Sequence, residues 1–313
     1  MKVETSELKM LQALPLEVKI MKSKARIEEW YRYYSGQVYV SFSGGKDSTV
    51  LLHLVRSLYP NVVAVYSDTG LEFPEIRNFV KETENVIWVK PKMNFKDVIK
   101  TYGYPVISKE IALTIEYARK DSKWAIQKLN GEYTLYGNHK KYKFLLNANF
   151  KISSQCCMIM KKRPLKAFGH ETGLKPFIGT MAAEGGMRES AYKKTGCNSF
   201  DNGQSVPLGF WTEKDIWDYI KLYNLPYSKI YKMGYERTGC MFCMFGAHLE
   251  KGENRFQRMQ RSHPKQYDYC MKSIEDGGLG MTVVLDYINV PYENNITNMK
   301  TSEGVKYQQF KIV

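Results

Sequence analysis

Apolar residues along this chain fall into short strand-like runs that alternate with longer stretches of helical spacing. The first run ends in a polar, glycine-containing turn, and an apolar helix follows that turn. The alternating segments are a strand over residues 37–42, a helix over 49–59, a strand over 61–67, a helix over 74–84 and strands over 85–90 and 175–180. Because such alternation is typical of βαβ units, the pattern predicts an α/β fold with a doubly wound, mostly parallel sheet.

Helical patterns flank this predicted sheet on both sides. Periodicity over residues 6–35 predicts an N-terminal helical segment, residues 1–36. Residues 37–245 then form the predicted nucleotide-binding and cysteine-containing domain, and residues 246–313 a mainly helical C-terminal extension. Further helices are predicted over residues 94–130, 214–223 and 254–272.

The turn after the first strand reads Ser43-Gly44-Gly45-Lys46-Asp47-Ser48-Thr49 and predicts a phosphate-binding loop. Glycines let the turn close around an anion, free amides at the helix start point at it, and Lys46 adds a positive charge. Val40 stands where a Walker A loop requires glycine, which disfavours a kinase or GTPase site. A second polar turn, Asp68-Thr69-Gly70, follows the next strand, and parallel strands place both turns at one edge of the sheet.

Candidate residues at this edge divide into catalytic and binding groups. The catalytic candidates are Lys46, Asp47 and Asp68. The lysine can stabilise phosphate charge and either carboxylate can hold magnesium, while Asp47 can alternatively cap the helix. The nucleotide-binding candidates are Ser41, Ser43, Gly44, Gly45, Lys46, Asp47, Ser48, Thr49, Asp68, Thr69 and Gly70.

Four of the six cysteines form two pairs, Cys156-Cys157 and Cys240 with Cys243. Six cysteines are too few for a disulfide scaffold in a chain of this length, so the pairs indicate a reduced metal centre. Adjacent side chains diverge, which suits ligation of different irons better than of one tetrahedral ion. We therefore predict a 4Fe-4S cluster, with zinc as the alternative.

Charge and composition bear on partners and compartment. The formal charge of +14 indicates an anionic partner, either a nucleotide or a nucleic acid acceptor, with solvated lysines as the simplest alternative. Basic and aromatic residues interleave over residues 131–149, which predicts a β-hairpin about Gly137-Asn138 or a surface that stacks on bases. Neither a membrane-spanning run nor a signal peptide is evident, so we expect a cytoplasmic protein without a membrane partner.

Taken together, these motifs resemble a known superfamily. The loop resembles that of the PP-loop ATP pyrophosphatases, which hold the pyrophosphate of ATP while a nucleophile attacks the α-phosphorus. The tandem cysteines, the basic residues after them and the later cysteine pair resemble the cluster motif of assimilatory adenylylsulfate reductases. Residues 68–75 resemble a segment of the same superfamily, which includes the phosphoadenylylsulfate reductases and the small subunit of sulfate adenylyltransferase. Over residues 37–245 the resemblance implies an adenine nucleotide alpha hydrolase-like, Rossmann-like fold.

Two departures separate this chain from those reductases. The reductases carry a C-terminal Glu-Cys-Gly-x-His segment whose cysteine attacks sulfur, whereas the last cysteine here, Cys270, lies in a helical context that predicts a structural role. Their phosphate loop is degraded because their substrate is already adenylylated, whereas this loop is intact and implies ATP. An intact loop with a cluster resembles the sulfur-inserting members, including those that act in DNA phosphorothioation and in base or amide thiolation.

The resemblance also implies substrate residues. Residues 179–188 resemble a segment that places charged side chains near the substrate, so Glu184 and Arg188 are candidates, as are Arg163 and Arg237 beside the cysteines. Surface salt bridges are the alternative for all four.

Three functions follow from these motifs. The first is an ATP-dependent sulfurtransferase that uses magnesium and a sulfur donor protein and releases pyrophosphate as it adenylylates an acceptor. The second is a sulfonucleotide reductase, and the third is a nucleotide-binding module with a structural metal site.

Overall fold

The computed structural model describes residues 2–132 and 137–294, and a six-stranded sheet forms its centre. The strands are β1 (Val38–Ser41), β2 (Ala64–Ser67), β3 (Val86–Val89), β4 (Lys175–Ile178), β5 (Asn198–Ser199) and β6 (Gln204–Ser205). They lie in the order β3-β2-β1-β4-β6-β5, and all pairings are parallel except that of β5 with β6. The predicted mostly parallel, doubly wound α/β sheet is confirmed.

The strand order changes direction at β1. The chain adds β2 and β3 on one side of β1, then returns to place β4 on the other side. Val38, Tyr39 and Val40 are buried, as expected for a central parallel strand covered on both faces. The carboxyl end of β1 is therefore the switch point at which such folds bind ligands.

Thirteen α-helices occur in the described part of the chain. They are α1 (Thr5–Gln12), α2 (Leu16–Tyr33), α3 (Lys46–Arg56), α4 (Pro74–Glu82), α5 (Phe95–Tyr102), α6 (Lys109–Ala118), α7 (Lys123–Asn130), α8 (Arg163–Thr172), α9 (Gly186–Thr195), α10 (Glu213–Leu222), α11 (Arg255–Ser262), α12 (Pro264–Met271) and α13 (Met281–Tyr287). Short 3₁₀ helices cover Lys140–Asn147, Ala182–Glu184, Lys229–Met233 and Ala247–Leu249, and a π-helical turn covers Met158–Lys162. Polar side chains begin several helices, and Thr212 forms a capping box with Asp215 at the start of α10.

Contacts divide the chain into two compact units, Met1–His248 and a second that begins at Leu249. The N-terminal helices belong to the first unit because α2 packs on α10. The Lys19 ammonium lies 2.6 Å from the Asp215 carboxylate, and both side chains are buried. The Trp211 indole donates to Ser23 Oγ at 2.9 Å, and that hydroxyl donates to the Pro207 carbonyl.

The second unit contains α11, α12 and α13. Asn254 caps α11 by accepting from the amides of Phe256 and Gln257. Cys270 is fully buried with its sulfur 3.1 Å from that of Met281. Burial raises the pKa of the Cys270 thiol, so this cysteine has the environment of a packing residue.

The predicted β-hairpin over residues 131–149 is wrong for the residues that the structure describes, and residues 133–136 lie outside them. Lys140–Asn147 form a 3₁₀ helix instead of a strand. The Arg119 guanidinium donates to the carbonyls of Leu145 and Ala148, and Leu145 is fully buried. Burial of the apolar side chain and satisfaction of these carbonyls outweigh the alternating pattern.

Residues 6–35 form α1 and α2 rather than one helix, and two later predicted helices are subdivided as well. Residues 94–130 form α5, α6 and α7, and residues 254–272 form α11 and α12. Pro264 at the first position of α12 explains the break between α11 and α12, since proline cannot donate the hydrogen bond that would continue α11. None of the described helices has both the length and the apolar character needed to cross a bilayer.

Candidate active site

The turn between β1 and α3 is a tight loop pressed against α4. Gly44 has a φ of +72°, a left-handed conformation that glycine adopts without steric penalty. A Cβ at Gly44 would lie 2.7 Å from Val80 Cγ2 and 2.9 Å from Ile76 Cγ2, and both of these side chains are fully buried. The loop therefore requires glycine here for its backbone conformation and for space.

Three hydroxyl groups hold the shape of this loop. Ser48 Oγ donates to the Gly45 carbonyl at 2.9 Å, and Thr49 Oγ1 donates to the same carbonyl at 3.0 Å. Ser43 Oγ lies 3.0 Å from Ser48 Oγ, and the Ser43 amide donates to Ser48. Among the predicted binding residues, Ser48 and Thr49 thus order the loop, while Ser41 ends β1 beneath it.

Lys46 is a buried ammonium between two carboxylates. Its Nζ lies 3.1 Å from Asp47 Oδ1 and 3.3 Å from Glu213 Oε1. Burial alone would lower the pKa of Lys46, but the attraction of Asp47, followed by Tyr231 and Glu213, raises it overall. Burial raises the pKa of Asp47 despite the neighbouring ammonium. Lys46 therefore remains a cation, as a phosphate-binding lysine must.

Tyr231 and Thr238 reach this loop from a distant part of the chain. The Lys46 amide donates to the Tyr231 hydroxyl at 2.8 Å, and that hydroxyl lies 3.3 Å from Thr238 Oγ1. A Cβ at Gly45 would lie 2.6 Å from Thr238 Oγ1. Sequence reasoning missed Tyr231, Thr238 and Glu213 because no local motif marks a residue that acts on a loop so far away in the chain.

The second polar turn lies beside the loop, since β2 is paired with β1. Asp68 Oδ2 accepts from the Arg77 guanidinium at 2.8 Å, whereas its Oδ1 is buried and has no hydrogen-bond partner within the described residues. Thr69 donates through its hydroxyl and its amide to the Glu72 carboxylate. Gly70 is left-handed with open space around it. Asp68 thus presents one unpartnered oxygen atom at a predicted catalytic position.

The four predicted metal ligands line one cavity. Cys156, Cys157, Cys240 and Cys243 share its walls with Lys161. Cys156 and Cys157 occupy the helical turn before the π-helical segment, and their sulfurs are 3.9 Å apart. Two chain segments more than eighty residues apart therefore bring these thiols together, as the sequence predicts.

Electrostatics around the cavity favour negative charge on one sulfur, that of Cys157, and oppose it on those of Cys156 and Cys240. The hydrogen bond between the tandem thiols raises the pKa of Cys156 and lowers that of Cys157, and Lys109 and Lys161 stabilise the Cys157 thiolate. Burial raises the pKa of Cys240 to about 11 against the opposing effect of Lys161. Lys161 also lies 3.3 Å from Glu72, which connects the cavity to the Thr69 turn.

The donor set consists of thiols alone, and this chemistry fits an iron–sulfur cluster or zinc. Over residues 2–132 and 137–294, no three His, Cys, Asp or Glu side chains are arranged to hold one metal ion.

Three of the four predicted substrate residues come together. Glu184 forms ion pairs with Arg188 and with Arg237, the latter at 3.7 Å. The negative charge of Glu184 is close enough to Asp47 to raise its pKa. Arg163 is exposed at the start of α8, and no ion pair joins it to this group within the described ranges.

Comparison with known proteins places the chain in a family. Residues 37–245 match the phosphoadenosine phosphosulfate reductase domain, which is more than half of the chain. The chain belongs to the phosphoadenosine phosphosulfate reductase family. It is thus an enzyme of the phosphoadenylylsulfate and adenylylsulfate reductase superfamily, with a PP-loop fold and a setting in sulfur metabolism.

Relatives within this family span several organisms. The chain is 28% identical over 230 residues to the adenosine 5'-phosphosulfate reductase of Staphylococcus haemolyticus, covering 71% of this chain and 76% of that protein. It is 28% identical over 217 residues to adenosine 5'-phosphosulfate reductase 2 of Bacillus subtilis, covering 68% of this chain and 75% of that protein. It is 27% identical over 252 residues to an uncharacterised protein of Methanocaldococcus jannaschii. That match covers 77% of this chain but spans only 42% of the archaeal protein.

Solved structures give weaker similarity. The phosphoadenylyl-sulfate reductase of Candida auris, in a phosphate complex, superposes with a TM-score of 0.41 at 16% identity, covering 77% of this chain and 97% of that one. The FMN adenylyltransferase of Candida glabrata superposes with a TM-score of 0.40 at 15% identity, covering 74% of this chain and 66% of that one.

Proposed function

We propose that this family member binds ATP and cleaves it at the α-phosphate, releasing pyrophosphate as it adenylylates an acceptor for sulfur transfer. The intact loop around Lys46 carries this proposal. A buried ammonium, a left-handed glycine and the helix start of α3 at the switch point of the sheet support a polyphosphate site there. A substrate that is already adenylylated needs no pyrophosphate site.

In the proposed reaction, the loop amides and Lys46 hold the β- and γ-phosphates. An acceptor oxygen attacks the α-phosphorus, its bond to the bridging oxygen breaks, and the ammonium stabilises the charge on the leaving pyrophosphate. Magnesium supplies further neutralisation of this charge when bound. Asp68 Oδ1 is a buried oxygen without a partner in the described chain, which supports Asp68, with Asp47 as the alternative, as the carboxylate that would hold this cation.

Sulfur replaces the AMP group in the second half of the proposed reaction. Glu184, Arg188 and Arg237 form the charged group beside the loop, and we assign to them the binding of the acceptor. The four cavity cysteines would hold a 4Fe-4S cluster, which supplies sulfur binding or a local field, with zinc as the alternative. The thiol-only donor set and the lysines near Cys157 support this assignment.

Nucleic acid is the acceptor that the charge of +14 favours, and the sulfur would come from a donor protein. The test is an anaerobic incubation with ATP, magnesium and radiolabelled sulfide. Three parallel reactions contain RNA, single-stranded DNA or no acceptor. We expect pyrophosphate and AMP in equal amounts, and label retained on one acceptor.

Lys46→Ala should abolish pyrophosphate release because it removes the ammonium that would bind the phosphates. In the described chain this ammonium contacts Asp47 and Glu213. Lys214→Ala, which removes an exposed lysine paired with Asp218, is the matched control and should retain activity. Undiminished release from Lys46→Ala would contradict the assignment of the loop.

Reduction of adenylylsulfate is the second candidate, supported by the family and by relatives that are named as such reductases. Against it, the last cysteine of the described chain, Cys270, is fully buried and unsuited to attack sulfur. Sulfite release from adenylylsulfate with a thiol donor, and without ATP, would favour this candidate.

A further inference from the structure

Tyr231, which lies outside the anion loop in sequence, places its hydroxyl against an amide of that loop. Lys46 is the first residue of α3, so its amide is one of the few at the helix start without a carbonyl partner inside the helix. In this structure the amide donates to the Tyr231 hydroxyl at 2.8 Å. An amide at this position is one that a bound phosphate oxygen would otherwise accept from.

A cation and a hydroxyl group, which are groups that bind anions, also surround the Tyr231 side chain. The Lys46 ammonium lies 6.0 Å from the ring centroid, and the phenolic oxygen lies 3.3 Å from Thr238 Oγ1. Burial raises the pKa of Tyr231 overall, so the hydroxyl is neutral. The Lys46 amide thus donates to a neutral oxygen, and an anionic oxygen would accept from the same amide more strongly.

The segment that carries Tyr231 is anchored by the buried side chains of Ile230 and Tyr235, and two glycines give its backbone freedom to rotate. Tyr231 lies in the short 3₁₀ helix Lys229–Met233, which ends at Gly234. Neither Gly234 nor Gly239 has an atom within 4 Å of the position of a Cβ, and Glu236 and Arg237 between them are exposed. Loop positions with such freedom are suited to absorb backbone rotation when a segment is displaced.

We propose that the Tyr231 hydroxyl competes with a phosphate oxygen for the Lys46 amide and is displaced when the pyrophosphate group of a nucleotide binds. This inference rests on the proposed function, because it concerns the same anion loop. Displacement of Tyr231 also moves Thr238, which precedes Cys240 by two residues. Occupancy of the phosphate site is thereby coupled to the chain segment that carries the second cysteine pair.

The two hydrogen-bonded states compete, so removing the hydroxyl strengthens anion binding. A neutral hydrogen bond of this kind corresponds to roughly a three- to tenfold change in a dissociation constant. Inorganic pyrophosphate is the probe, and calorimetry measures its dissociation constant. We expect Tyr231→Phe to bind pyrophosphate about three- to tenfold more tightly than the natural chain. Structural damage would weaken binding and cannot produce this result.

Tyr227→Phe is the matched control. Tyr227 lies in the same segment, and both Tyr227 and Tyr231 have ring centroids 5.4 Å from that of Trp217. This control should leave the affinity unchanged. As a second readout, pyrophosphate should change the fluorescence of Trp217, and Trp217→Phe should lose that change.

The outcomes separate this inference from the function on which it rests. If the natural chain and Lys46→Ala bind pyrophosphate equally weakly, the proposed function fails. If Lys46→Ala abolishes binding but Tyr231→Phe binds as the natural chain does, or more weakly, only the displacement of Tyr231 is overturned.

Discussion

Replacing Gly44 by alanine tests how closely the anion loop packs against α4. The left-handed backbone conformation costs an alanine about 1–2 kcal/mol, and the smaller entropy of the unfolded alanine chain offsets roughly 0.4–1 kcal/mol of this. The new Cβ would meet Val80 and Ile76 at 2.7 and 2.9 Å. Because both side chains are fully buried and cannot swing aside, this crowding adds about 1–3 kcal/mol. We expect Gly44→Ala to lower the free energy of unfolding by about 1–5 kcal/mol in total.

Gly173 supplies the matched control for this experiment. Its φ of +75° is nearly that of Gly44, but no atom lies within 4 Å of its Cβ position. Gly173→Ala should therefore show the backbone effect alone, about 1 kcal/mol. Urea unfolding measures both variants, and Val80→Ala should relieve part of the Gly44→Ala effect in a double-mutant cycle. Equal destabilisation by Gly44→Ala and Gly173→Ala would refute the close packing.

Three further predictions concern other parts of the first unit. Lys19→Met leaves the Asp215 carboxylate buried without its cation and should lower the free energy of unfolding by about 3–5 kcal/mol; a loss below about 1 kcal/mol would contradict a buried pair. Burial and the nearby Lys128 lower the pKa of His139 in the folded chain. The unfolded chain therefore takes up a proton more readily, and the free energy of unfolding should fall as the pH decreases through about 6.5. His139→Gln should make this fall of the urea midpoint shallower, and an unchanged slope would refute the sign. Under the proposed cluster assignment, the protein purified without oxygen should absorb at about 400 nm and contain iron, and Cys240→Ser together with Cys243→Ser should remove both. An unchanged spectrum would show that these thiols are not ligands.

Local patterns were sufficient to predict strands β1 to β4 and their parallel sheet, but not the two-residue strands β5 and β6. β1 and β2 are short runs of three buried apolar residues followed by a serine and a polar turn, and in a parallel sheet such runs end at the same edge. The loop after β1 could be predicted from its own residues, because its glycine, lysine and hydroxyl side chains contact residues that are close to them in sequence.

Contacts between distant residues could not be predicted in this way. Lys46 and Tyr231 are 185 positions apart, and Lys19 and Asp215 are 196 apart. Their sequence surroundings show no feature that selects one partner over another. The mistaken hairpin over residues 131–149 has the same origin, since the burial of Leu145 and the contacts of Arg119 depend on tertiary packing rather than on alternation.

The most direct test of the account compares the binding of ATP with that of adenylylsulfate under anaerobic conditions. Calorimetry with magnesium present measures both dissociation constants for the natural chain and for Lys46→Ala. An intact pyrophosphate site predicts that ATP binds more tightly than adenylylsulfate, and that Lys46→Ala loses this preference because its ammonium contacts the phosphates. Tight binding of adenylylsulfate with no binding of ATP would contradict the account and favour the reductase.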